Sequence, residues 1–202
     1  LLFFSGDQVY EGDSPTFADT NPANIKLDYL YKWYLWCWAY RDLTKDIPTI
    51  CIPDDHDVYQ GNIWGQGGRK AVSPEPDRYT PNQPRDHDGG YVHPAEFVAM
   101  VERTQTANLP DAYNTEPIDQ GLTTYYTDLV WGRIGVAVLE DRKFKSGCNR
   151  TDMPPSGTGR PDHFNDPEFD VDDLDVEGAT LLGEKQLQFI DEFAQDWEGQ
   201  LM

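Results

Sequence analysis

The sequence predicts an α/β domain of mixed, layered type, and three observations predict it. Two short apolar runs, residues 1–4 and 47–52, read as buried strands. A long helical pattern over residues 25–45 separates them. Downstream come a second helix, a strand pair and a closing helix, the element order of an α/β or mixed layered fold.

Each element has a local reason. After the first strand a loop rich in Gly, Asp, Pro and Asn runs to about residue 23. In the first helix Leu30, Trp33, Tyr34, Cys37 and Arg41 fall on one stripe, and Trp36, Trp38 and Tyr40 widen the apolar surface. Residues 58–93 are punctuated by glycine and proline, which forbids regular structure there. Tyr59, Trp64, Tyr79 and Tyr91 predict that this excursion is packed. Residues 94–104 read as a helix with proline in its first turn. Residues 123–129 and 133–139 read as strands joined by a turn at Trp131-Gly132. A loop over residues 146–180 carries seven acids between Asp166 and Glu177. Residues 183–197 close the chain as an amphipathic helix, with Leu187, Ile190, Phe193 and Trp197 on its apolar face.

Composition narrows the classes of function. The 202 residues suffice for one domain with a filled core. Net charge is −20, from 36 acids against 16 bases. A field of that sign repels nucleic acid and anionic membranes, so no nucleic-acid-binding surface is expected. It admits a phosphorylated substrate where bound cations invert the local potential. The three cysteines, Cys37, Cys51 and Cys148, show no zinc spacing; Cys37 and Cys51 are expected to be buried as small apolar residues. No apolar run is long enough for a membrane span, and none resembles a signal peptide. The chain opens in mid-strand and reads as a piece of a longer protein.

The chemistry gathers where the two strands end. The first ends in Ser5-Gly6-Asp7, and glycine there permits a tight turn. Asp7 then projects from the carboxyl end of a strand, where ligands of α/β sheets collect. Tyr10, three residues on, can return to the same place. The second strand ends in Pro53-Asp54-Asp55-His56-Asp57. Carboxylates suit hard cations, and imidazole donates a proton or binds metal. Turn-forming aspartates are the plainer alternative for both motifs. Asp86-His87-Asp88 repeats the triplet without a preceding strand and reads as a polar loop, as do the surroundings of His93 and His163.

"FSGDQVYEGD" followed by "IPTICIPDDHDVYQGN" resembles the PhoD-like branch of the calcineurin-type metallophosphoesterases. "VAVLEDRKF" is similar to that branch's Leu-Asp-x-Arg strand end, with Glu140 before Asp141, and "LLGEKQLQFIDEFAQDW" to its Leu-Gly-x-x-Gln helix. The likeness runs from residue 1 to about 198. It implies a metallophosphoesterase-type layered sandwich of mixed sheets flanked by helices. Residues 1–202 would form part of that catalytic domain, without its first and last metal-ligand motifs. It further implies a dinuclear metal centre, Fe3+ with Ca2+ or other divalent metals, that hydrolyses phosphate mono- or diesters. On this resemblance Asp7 bridges the metals, Tyr10 ligates one as phenolate, and Asp55 replaces the superfamily's asparagine ligand. His56 faces the phosphate and stabilises or protonates the leaving oxygen, and Asp54 and Arg142 support the site from behind. The resemblance also implies an extracytoplasmic location, periplasmic or secreted.

Two other readings stay open. The acidic loop 166–177 could be a calcium site in a non-catalytic or structural domain, although its spacing is not that of an EF-hand. A glycosidase would use paired carboxylates but leaves His56 and Tyr10 without a role.

Overall fold

The computed structural model describes residues 1–11, 23–71, 89–147 and 167–195. They form a mixed α/β architecture of three α-helices and two separate two-stranded sheets. Strand β1 (Leu2–Phe4) and strand β2 (Thr49–Cys51) pair in parallel, in the register Leu2 to Thr49, Phe3 to Ile50 and Phe4 to Cys51. Helix α1 (Ile25–Thr44) lies between them in the chain, as parallel pairing requires of a crossover. Because the two strands run the same way, both of their carboxyl ends reach the same edge. That shared edge brings the two acidic motifs together.

Helix α2 (Ala95–Thr106) starts at Pro94, whose fixed φ suits a helix entry. It packs Phe97, Val98 and Val101 against Ile25 and Tyr29 of α1 and against Val9, Val58, Tyr59, Ile63, Tyr91 and Leu122. Tyr29 and Phe97 meet edge-on at 5.9 Å between ring centres. This core lies directly beneath the loops that leave β1 and β2. Strands β3 (Thr127–Trp131) and β4 (Ile134–Val138) form an antiparallel hairpin. Its two turn residues, Gly132 and Arg133, both have positive φ, at 56° and 73°. That is the turn whose twist matches the strands it joins. A smaller core of Ile50, Tyr125 and Val138 links the hairpin to β2. Helix α3 (Glu184–Gln195) buries Gln186 and Phe189.

Several expectations need correcting. The first strand is not buried: Leu1 and Phe3 are 43% and 46% exposed, because β1 has only β2 beside it among the described residues. The core-facing stripe of α1 is Ile25, Tyr29 and Lys32, with Trp33 packed beside it, and not the stripe through Leu30, Tyr34 and Cys37, which is exposed. The helix is apolar almost all round, so the sequence offers no contrast by which to phase it. Cys51 is buried as expected, whereas Cys37 falls off the packed stripe. On α3 the buried side chains begin at Gln186 and Phe189, and Leu187 faces outward. The hairpin turn lies one residue later than expected. The excursion after β2 is packed where it is described, with Tyr59, Trp64 and Tyr91 buried. Tyr79, the Asp86-His87-Asp88 triplet, Cys148, His163 and Trp197 lie outside the described residues.

No helix among the described residues is long and apolar enough to cross a membrane.

Candidate metal centre

The two strand ends touch through their backbones. Gly6 has φ of 117°, and a Cβ there would overlap Cβ of Asp54. Only glycine satisfies both the dihedral and the spacing. Asp7 follows with φ of 60°, a left-handed conformation uncommon outside glycine and asparagine-like residues. Strained backbone of this kind is held by its surroundings and marks places where side-chain direction matters.

Past the second strand, Asp55 precedes a short 3-10 turn, His56–Val58, in which Asp57 is fully buried. Ligand atoms of Asp7, Asp55 and His56 all lie within 4.8 Å of one another, the one such cluster of acids, histidines or cysteines among the described residues. One Asp7 carboxylate oxygen, Oδ1, is buried and has no hydrogen-bond partner. A buried carboxylate oxygen left unpaired is costly unless a cation or water completes it. The other, Oδ2, accepts a hydrogen bond from the Tyr10 hydroxyl at 2.7 Å. Asp55 Oδ2 accepts from the Asn62 amide at 2.6 Å. Hard oxygen donors, one of them orphaned, around a single point are a fit for hard cations.

The neighbours set the charge states. Glu11 grips His56 Nδ1 at 2.8 Å and 3.1 Å. That hydrogen bond, against the opposing effect of burial, pushes the imidazole up to about 9. Burial alone would raise the Glu11 carboxyl, but its bond to His56 wins and leaves it below its usual value. The Tyr10 ring stacks on the His56 ring at 4.3 Å. Its hydroxyl is pushed up to about 12, first by the hydrogen bond to Asp7 and then by burial. Lys32 of α1, itself buried, donates to the Tyr10 carbonyl at 3.0 Å and pairs with Asp28 at 3.2 Å. The helix thereby fixes the stretch that carries Tyr10 and Glu11.

Arg142 reaches in from the end of the hairpin. Its Nε and Nη2 fork onto the two oxygens of Asp54, the second at 2.8 Å, and Nη2 lies 3.9 Å from Asp55. Both oxygens of Asp54 are thus taken by Arg142, and Asp54 is not among the clustered groups. Arg142 itself hangs from Glu140, whose Oε1 accepts from its amide at 3.1 Å.

The structure brings together Asp7, Asp55 and His56 and sets Tyr10 against Asp7; Asp54 and Arg142 form the backing pair. Two participants were missed in the sequence, Glu11 and Asp57. Both stand inside the quoted motifs, so the signal was present, but nothing in a linear sequence says which carboxylate turns inward. Asp57 is fully buried. Burial pushes its carboxyl up to about 6, against the pull of the amide donors around it. His93 is no part of the cluster; its Nε2–H donates to the Tyr59 carbonyl at 2.9 Å. The described part of the acidic loop, with a 3-10 turn over Val171–Leu174, brings no three acids to one point, so its calcium-site reading has no support there.

No family model matches the chain, and no curated protein and no solved structure does either.

Proposed function

We propose that this chain carries part of a dinuclear, PhoD-like phosphoesterase centre, within a layered metallophosphoesterase-type sandwich, and that the intact protein hydrolyses phosphate mono- or diesters outside the cytoplasm. The observation that carries the reading is the convergence of Asp7, Asp55 and His56, with one Asp7 oxygen buried and unpartnered. Asp7, Asp55 and Tyr10 would hold the cations, Fe3+ with Ca2+ or other divalent ions. Such a pair, when bound, would supply an acidified water and polarise the phosphoryl oxygens.

The chain's own residues do the rest. His56, with Nδ1 committed to Glu11, keeps Nε2 for the leaving oxygen and donates a proton from it, a contribution of roughly 10²–10⁴-fold. Tyr10 on one face of the ring keeps the imidazole from tilting. Arg142 fixes Asp54 and so steadies the backbone that presents Asp55.

The test pairs a spectrum with an assay. Fe3+ added to the protein should give the visible charge-transfer band of a phenolate–iron bond, and Tyr10→Phe should remove it. In the intact protein Asp55→Ala should abolish hydrolysis of both p-nitrophenyl phosphate and its bis ester. Unchanged hydrolysis in that variant would refute the assignment.

A further inference from the structure

Asp57 lies under the cluster without joining it. Its Oδ2 accepts from the backbone amides of Asp7 at 2.7 Å and Asp54 at 2.9 Å. Its Oδ1 accepts from the amide of Val9 at 2.9 Å and from Gln105 Nε2 at 2.8 Å. Four donors meet the four lone-pair positions of one carboxylate. Among the described residues no lysine or arginine pairs with it. A buried carboxylate without a counter-ion is tolerated only where its hydrogen bonds are complete.

The donors come from both strand ends. One amide belongs to Asp7 and one precedes Asp55, so a single side chain spans the seam between the two ligand-bearing loops. Gln105 of α2 steers that side chain, and its amide nitrogen also donates to the Tyr29 hydroxyl of α1 at 3.0 Å. The seam is thereby referred to both helices. The left-handed Asp7, at φ of 60°, is retained by the same contact.

We infer that Asp57, steered by Gln105, is the positioning residue of the metal centre: it fixes the backbone of Asp7 and Asp54 so that the Asp7 and Asp55 carboxylates oppose one another. The inference rests on the proposed metal-binding function. A turn stabiliser would serve one loop; Asp57 serves two loops that are 50 residues apart.

Mn2+ binding to the folded chain, read by the loss of the free-ion electron paramagnetic resonance signal, tests it. Asp55→Ala should lose binding; retained binding there, or none in the natural chain, overturns the metal-centre reading and this inference with it. Asp57→Asn should weaken Mn2+ roughly 10–100-fold, the usual effect of losing a partner that orients ligands. Gln105→Met keeps the three backbone donors and should cost about threefold to tenfold, the worth of one hydrogen bond on an equilibrium constant. It decides the matter alone if Asp57→Asn does not fold.

A rescue separates positioning from mere destabilisation. In Asp57→Asn combined with Gln105→Glu, the carbonyl of the introduced asparagine can face the Asp7 and Asp54 amides while its NH2 donates to the introduced glutamate. That double variant should bind more tightly than Asp57→Asn alone. Val101→Ala, which opens a cavity on the same helix, should lower stability and leave affinity unchanged. With Asp55→Ala inactive, natural affinity in Asp57→Asn and Gln105→Met, or an equal loss in Val101→Ala, would overturn the positioning role and leave the metal-centre reading standing.

Discussion

His93 shows what one buried side chain does to stability. Burial holds its imidazole below the ordinary value of 6.5, while its bond to the Tyr59 carbonyl and the Glu11 charge pull the other way. The sign follows from proton counting. Just below that ordinary value the unfolded chain holds more protons at this position than the folded chain, so acidification favours unfolding. Above it both states are neutral and His93 contributes no pH dependence. His93→Gln should therefore flatten the fall in stability between about pH 7 and about pH 6. Urea unfolding of the two proteins at both ends of that range checks it. The same scale sets what could be foreseen. Asp7, Tyr10, Asp55 and His56 were legible because strand ends and residue types announce them. Glu11 and Asp57 were not, since their roles depend on which way each carboxylate turns within a few residues of loop.

At the scale of elements, the Leu-Gly-x-x-Gln stretch acquires a physical meaning. Gln186 of α3 accepts from the Glu140 amide at 3.0 Å and donates to the Glu140 carbonyl at 2.7 Å. One amide thus closes off both backbone groups at the point where the hairpin ends. Gly183 lets the helix start there, since a Cβ would press into the Phe144 ring at 2.8 Å. Glu140, so held, sits on the amides of Arg142 and Lys143, and Lys143 pairs with the buried Glu102 of α2. Gln186→Leu should leave the two backbone groups unpaired and cost about 2–4 kcal/mol. Hydrogen exchange should then show α3 opening before α2. The α3 pattern was readable, yet its phase was off by a residue, because the deciding buried side chain is a polar one. Phasing failed on α1 for the opposite reason, an excess of aromatic residues on every side.

For the molecule as a whole, charge dominates. A net charge of −20 on 202 residues repels itself in the compact state. Raising monovalent salt from about 0.01 M to about 0.15 M, where the screening length falls from about 30 Å to about 8 Å, should raise the thermal midpoint. A midpoint that stays flat or falls would mean that local pairs outweigh the global field. The mixed α/β character of the elements followed from their order. Their division into two small sheets did not, because sheet membership depends on pairings between residues far apart in the chain.

The fork between Arg142 and Asp54 has one more consequence. Its Nε and one Nη2 hydrogen are committed to Asp54, so much of its charge is already answered beside the carboxylates of Asp7, Asp55 and Glu11. Under the function proposed above, the rim would act as a turnstile: a cation would have to enter first, and only its arrival would make room for a phosphate.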